Sequence, residues 1–174
     1  MLKFFRGAAI LFIVSTLAAC AGSVATPVTM QDLPAPEKQA MHVTDVTATA
    51  APGVFISPPE LDQLVYKVKA ALAVPTQAAV VKASADSRPA VKVELVVTKY
   101  DKGNAVARFM LAGLGQIELT ADVLFIDERT GQQVGKYEVS KDFAFGGIYG
   151  GTTTMDDVED GFAKSVAAIV KPTG

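Results

Sequence analysis

Three segments in the second half of the chain alternate apolar and polar side chains, and this pattern restricts the fold more than any other feature. They cover residues 90–101, 116–127 and 133–143, and the sequence DERTG separates the last two. Successive side chains of a β-strand point to opposite sides, so each segment predicts a strand with one buried face. The short connection between the last two favours an antiparallel meander.

Two amphipathic helices are predicted to cover the apolar face of that sheet. Ser57 precedes Pro58, and Glu60 follows three residues after Ser57, which is the pattern of an N-cap with a capping box. Apolar residues then recur at helical spacing to about Ala73. Thr154 is predicted to cap the second helix, whose first turn carries the acidic sequence DDVED.

One further strand is predicted at residues 41–50, where apolar and polar residues also alternate. Together these elements predict an α+β fold, a two-layer sandwich with a mainly antiparallel sheet of about four strands. Two amphipathic helices are expected to pack on one face of this sheet. We assign residues 41–174 to this single domain.

The N-terminal residues have the organisation of a secretory signal peptide, predicted at residues 1–19. Lys3 and Arg6 precede an apolar run that is too short for the roughly 30 Å hydrocarbon core of a bilayer. The sequence LAAC at residues 17–20 resembles the lipobox of bacterial lipoproteins. This resemblance implies that Cys20, the only cysteine of the chain, carries acyl chains such as palmitate and becomes the mature N-terminus.

The same resemblance implies a location. Ala21 stands where an aspartate signals inner-membrane retention in enterobacterial lipoproteins, so we expect the periplasmic face of the bacterial outer membrane. Residues 20–40 contain three prolines and no aromatic residue, and they are predicted to be the acylated cysteine and a flexible tether. At about 3.3 Å per residue, such a tether could reach some 60 Å, so the domain would not need to touch the membrane.

The connection between the first two meander strands, YDKGNAVARFMLAGLGQIEL, is the most individual stretch of the sequence. Gly103 suits a turn with left-handed backbone, and Gly113 and Gly115 suit a bulge or a close backbone approach. The spacing of polar and glycine residues over residues 91–171 resembles the bacterial envelope lipoproteins of domain of unknown function 4410. The residues that carry this resemblance are Tyr100, Gly103, Asn104, Arg108, Gly113, Gly115, Asp127, Thr130, Gly131, Gly135 and Tyr137. That family implies a fold and a location but no catalytic residue, substrate or cofactor.

Arg108 and two glycine-flanked apolar segments each have two interpretations. Arg108 is predicted to make an ion pair or hydrogen bonds to carbonyls that hold its connection in place; alternatively, it binds an anionic group of a lipid or glycan. The segments at residues 109–115 and 143–151 are predicted to fold over an end of the sheet and complete the core. The alternative is an exposed patch for a partner or lipid. The candidate ligand or partner contacts are therefore Arg108, Phe109, Met110, Leu111, Phe145, Ile148 and Tyr149.

Several functional classes are disfavoured by composition. A formal net charge of −2 and the lack of a long basic run argue against nucleic acid as a partner. His42 is the only histidine and Cys20 is assigned to the anchor, so no Cys/His metal site or nucleophilic pair can form. The glycines at 113 and 115 lack the third glycine of a dinucleotide site, and no cofactor is expected.

Elimination favours a lipid-anchored periplasmic interaction module, a non-enzymatic accessory subunit of an envelope assembly or transport machine. Its expected partners are the membrane, through acyl chains on Cys20, and an envelope protein. A first alternative is a carrier of a lipid or other apolar ligand, held between sheet and helices with Arg108 at the polar head. A second alternative is a cell-envelope hydrolase that uses carboxylates such as Asp127 and Asp157.

Overall fold

The computed structural model describes residues 25–33, 41–74, 89–111 and 114–170. The predicted signal peptide, the lipobox and Gly113 lie outside these residues. Five strands form one sheet: β1 (Val28–Gln31), β2 (His42–Ala50), β3 (Ala90–Asp101), β4 (Ile117–Asp127) and β5 (Gln133–Phe143). Their order across the sheet is β1-β5-β4-β3-β2.

The predicted meander is present as β3, β4 and β5, which pair antiparallel. The register places Leu95 opposite Val123 and Val123 opposite Tyr137, so buried side chains line up across the strands. In the turn after β4, the Asp127 carboxylate accepts hydrogen bonds from the Thr130 N–H at 2.7 Å and the Thr130 hydroxyl at 2.8 Å. These alternating segments therefore form strands with one buried face.

Four helices accompany the sheet: α1 (Pro58–Leu72), α2 (Ala105–Met110), α3 (Gly147–Thr152) and α4 (Met155–Val170). The two long helices, α1 and α4, contact each other and pack on one face of the sheet, as predicted. The Ser57 N–H donates to the Glu60 carboxylate at 2.9 Å, which confirms the predicted start of α1. Both long helices bury their apolar stripes against the sheet, including Leu64 of α1 and Phe162 of α4.

The sheet is mixed and has five strands, so the prediction of about four mainly antiparallel strands is only approximately right. β2 lies parallel to β3, with Val46 opposite Val93. The reason is the connection, because α1 carries the chain back along the sheet between β2 and β3. Alternation within a strand indicates which face is buried but does not indicate the direction of its neighbour.

The predicted tether at residues 20–40 is wrong for the part that the structure describes. β1 pairs antiparallel with β5, and Leu33 is 1% exposed in the core. A Cβ on Gly135 would lie 2.7 Å from Leu33 Cγ, so this glycine makes the space that Leu33 fills. The Leu33 N–H also donates to the Tyr137 hydroxyl at 2.9 Å. The four-residue strand is too short to show periodicity in the sequence.

We predict that Leu33→Ala lowers the free energy of unfolding by about 2–4 kcal/mol, since it removes a buried side chain and leaves a cavity beside Gly135. Urea unfolding of the purified protein measures this change. Val28→Ala, on the exposed strand β1, is the matched control and should change stability by less than about 0.5 kcal/mol. Equal, small effects of both substitutions would contradict the packing of residues 25–33 on the domain.

Candidate contact surface at one end of the sheet

The two short helices α2 and α3 lie together beyond one end of the sheet. β3 and β5 finish at this end and β4 begins there, as the pairing of Asp101 with Glu118 and of Ile117 with Phe143 shows. α2 therefore follows β3, and α3 follows β5. We refer to this part of the domain as the helical end.

Gly103, Asn104 and Gly115 fix the path of α2. Gly103 has φ +61°, and added Cβ atoms at Gly103 and Gly115 would lie 2.2 Å and 2.5 Å from backbone oxygens. The predicted turn and close approach are thus present. Asn104 has an extended φ of −131° and acts as the N-cap, since its side-chain oxygen accepts from the Ala107 N–H at 3.0 Å.

Arg108 joins the two short helices from the inside. It is 2% exposed, and its guanidinium donates to the carbonyls of Gly150 at 2.9 Å, Gly115 at 2.6 Å and Thr153 at 3.0 Å. Two of these carbonyls belong to the last turn and C-cap of α3, where a cation is favourable. This geometry matches the first interpretation of Arg108 and leaves no exposed guanidinium edge for an anionic ligand.

The apolar residues of the helical end face outward, so the prediction that they complete the core is wrong. Around α2, more than half of the surface of each residue is exposed for Val106, Phe109, Met110, Leu111 and Leu114. Around α3, the same holds for Phe145, Ile148 and Tyr149. The physical reason is that α1 and α4 already cover the apolar face of the sheet, while α2 and α3 lie past its end. We name these eight residues the apolar end surface.

A shallow concavity of about 390 Å³ lies within this surface, between α2 and α3. It is lined by Ala105, Val106, Phe109, Met110, Ile148, Gly151 and Thr152. Gly151 permits the close approach, because an added Cβ would lie 3.3 Å from the Phe109 ring. Its lining is mainly apolar, which suits a hydrocarbon group or an apolar side chain.

A buried polar network lies under the two long helices, apart from this surface. Glu159 is 2% exposed, accepts a hydrogen bond from the Tyr100 hydroxyl at 3.0 Å and lies 3.3 Å from the Lys67 ammonium. Burial raises the pKa of Glu159, although Tyr100 and Lys67 oppose this. Burial and the Glu159 charge also raise the pKa of Tyr100. Burial alone would lower the pKa of Lys67, but hydrogen bonds to the Asp156 and Asp160 carboxylates outweigh it and raise the pKa.

Sequence reasoning missed the burial of Glu159, which it placed among the acidic residues of a helix start. A usable signal was available, because Glu159 precedes Phe162 by three residues and Val166 by seven, on the apolar stripe of α4. The network links α1, α4 and β3, and it has the features of a structural ion pair.

The residues expected to serve the two alternative functions do not form the sites that those functions were predicted to use. Asp127 ends β4 at the far end of the sheet, whereas Asp157 accepts from the Thr154 N–H at 2.8 Å beside the helical end. The two carboxylates therefore do not form a pair. Core side chains occupy the space between sheet and long helices, where the carrier hypothesis placed its ligand. Among the described residues, no three His, Cys, Asp or Glu side chains are grouped for a metal ion.

The fold and this surface define a class: a small α+β domain with one covered sheet face and an exposed apolar end. The chain belongs to the family described as Domain of unknown function (DUF4410), whose model matches residues 60–147. No curated protein matches the chain significantly. Within the described parts of the chain, no helix has the length and apolar character needed to cross a membrane.

Solved structures with the same fold include PelC from Paraburkholderia phytofirmans, a dodecamer. It has 12% sequence identity and a TM-score of 0.56 and covers 83% of this chain and 96% of that chain. A leucine-to-methionine variant of PelC from the same organism is also a dodecamer. It has 10% sequence identity and a TM-score of 0.54, and the match covers 85% of this chain and 100% of that chain. A candidate lipoprotein from Caulobacter crescentus has 19% identity, covers 71% and 82%, and has a TM-score of 0.38, too low to support an argument.

We predict that Arg108→Met lowers the free energy of unfolding by about 2–4 kcal/mol, because it leaves buried carbonyls without donors. Arg129→Met, in the exposed turn after β4, is the control and should change stability by less than about 0.5 kcal/mol. Thermal or urea unfolding measures both. If Arg108 instead served an exposed anionic ligand, the two substitutions would have similar effects on the unliganded protein.

We predict that the stability of the wild-type protein relative to Glu159→Gln falls as the pH rises. The native pKa of Glu159 is raised above its ordinary value near 4.5. The protonated Glu159 carboxyl therefore makes its full contribution to the free energy of unfolding at a pH below the pKa of the unfolded state. That contribution is lost as the pH rises through the native pKa, while glutamine keeps the neutral state. Urea unfolding of both proteins from about pH 4 to about pH 8 measures the difference, and a difference that grows with pH would contradict this assignment.

Proposed function

We propose that this protein is a lipid-anchored, non-enzymatic interaction module of the bacterial periplasm, and that it acts as an accessory subunit of an envelope assembly or transport machine. The observation that carries the proposal is the apolar end surface on a domain whose core is already closed. Apolar area of this kind is costly in water and commonly marks a site of contact. The lipobox-like sequence ending at Cys20 supports the lipid anchor, and Ala21, in place of a retention aspartate, supports the periplasmic face of the outer membrane.

The fold comparison gives further support to a subunit role. PelC, which shares the fold at 12% identity, is a dodecamer, so this fold can serve as a subunit of a larger assembly. A subunit role for this chain is consistent with that example.

The concavity between α2 and α3 favours a second candidate, a carrier of an apolar ligand. Its volume of about 390 Å³ falls within the usual range of small-molecule sites, roughly 300–1,000 Å³. In this version the ligand would lie at the helical end, away from the space between sheet and long helices. A bound small molecule in native mass spectrometry that Gly151→Leu displaces would favour the carrier.

The proposed function is tested by photo-crosslinking in living cells from positions 110 and 149, with position 94 on the exposed sheet face as control. We expect adducts from Met110 and Tyr149, which are exposed in the apolar end surface, and none from Glu94. Mass spectrometry of the recovered protein identifies the adduct and the modification of Cys20. Silence at both apolar positions, or equal adducts from position 94, would overturn the contact function.

A further inference from the structure

We propose that the apolar end surface rests on the lipid bilayer itself, so that the domain stands with its helical end against the membrane. This names the partner of the surface described above and depends on the acyl anchor at Cys20 in the proposed function. Three features of the chain support it: the direction of β1, the short distance that the residues between Cys20 and the sheet can cover, and the scarcity of charge at the helical end.

The first strand, β1, enters the sheet from the side of the helical end. β5 runs toward this end and finishes at Phe143, and β1 is antiparallel to β5. The chain therefore runs away from the helical end along β1. Ala25, the first described residue, lies beside α4, where its N–H donates to Ser165 Oγ at 2.8 Å.

The span from Cys20 to the sheet is short. Val28 pairs with Glu138, so about 17 Å of β5 lie between this level and Phe143. The residues from Cys20 to Val28 reach at most about 28 Å when fully extended. At most about 10 Å then remain past the end of the sheet, which is about the diameter of one helix.

The contact of Ala25 with α4 gives a second, tighter limit. Ser165 lies about 15 Å along α4 from its first residue, Met155, which is at the helical end. The residues from Cys20 to Ala25 reach at most about 18 Å. Both limits allow Cys20 to reach the helical end and little farther, so a bilayer that its acyl chains enter at this end must touch the helical end.

Charge, and not distance, separates the helical end from the far end of the sheet. Val28 is level with Glu138, about 17 Å from the first residue of β5, Gln133, so the far end is also within reach of the N-terminal residues. The turn at the far end, however, carries Glu128 and Arg129, which are exposed and costly to move out of water. Because β1 belongs to the sheet, the 60 Å tether expected from the sequence is not available. The anchor therefore keeps the domain near the headgroups, and the helical end is the end of the sheet whose exposed side chains suit contact with them.

Charge separates the helical end from the open sheet face, which is the face opposite α1 and α4. The segments at residues 103–117 and 144–154 contain one charged residue, Arg108, and its side chain is buried. The charged residues next to these segments, such as Lys102, which pairs with Glu60, and Asp157, lie beside the apolar end surface. The open sheet face carries ion pairs such as Lys136 with Asp122, at 2.8 Å. Moving exposed charges out of water is costly, so a bilayer contact at the helical end is favoured over one on the open sheet face.

The side chains at the helical end suit the interfacial region of a bilayer. Met110 and Ile148 are 72% and 74% exposed, and Tyr149 combines an apolar ring with a hydroxyl that suits headgroup depth. Phe55, 93% exposed, lies in the loop between β2 and α1 at this same end. Interfacial segments bury their apolar side about 5–10 Å deep. The acyl chains supply the affinity, and the surface fixes the orientation.

The experiment uses the acylated full-length mature protein on phosphatidylcholine vesicles that contain dibrominated acyl chains. The chain has no tryptophan, so Tyr149→Trp introduces a single indole in the apolar end surface. Tyr66→Trp is the matched control, because Tyr66 is also exposed but lies on α1. We expect a blue shift and bromine quenching for Tyr149→Trp only, independent of salt concentration. Adding Ile148→Glu should abolish the quenching while the far-ultraviolet circular dichroism is unchanged.

Vesicle flotation separates the two proposals. Protein that floats with the vesicles but shows no quenching at the Tyr149→Trp position would overturn the bilayer contact and leave the anchor intact. A blue shift of the indole emission that grows with the density of protein on the vesicles, without bromine quenching, would identify a second copy of the chain on this surface. That result would also overturn the bilayer contact. Protein that does not float would overturn both the anchor at Cys20 and the bilayer contact.

Discussion

The apolar face of the sheet must be covered for the strands to remain together in water, and this constraint organises the domain. β3, β4 and β5 align their apolar residues on one face, and α1 and α4 cover that face as a second layer. With this layer in place, the buried side chains of the core lie between the sheet and these two helices. Additional apolar segments have to lie at the margins of the sandwich.

The helical end is such a margin, and its shape depends on one buried side chain. Arg108 holds α2 against α3 by donating to carbonyls of both segments, so two helices of six residues each keep a defined arrangement. Helices of this length are not stable alone in water. The apolar residues around Arg108 are consequently held outward, where they can contact a membrane, a ligand or a partner.

The N-terminal strand connects the fold to the proposed anchor. Leu33 fills the space above Gly135, and Tyr137 binds the backbone of Leu33, so residues 25–33 are fixed on the domain. This shortens the distance over which an acylated Cys20 can be separated from the sheet. An acyl anchor at Cys20 would therefore keep the domain close to the membrane, which is one basis of the bilayer contact that we propose.

The sequence by itself determined the strands of the meander, the capped start of α1 and the long helix α4, because their periodicities and caps are local properties of the chain. The family resemblance also followed from local spacing and agrees with the family match. Only the tertiary structure decided the strand order, the parallel direction of β2, the burial of Leu33 and Glu159, and the exposure of Met110 and Ile148. These depend on which surfaces meet after folding, and an apolar side chain has the same local pattern whether it enters the core or faces outward.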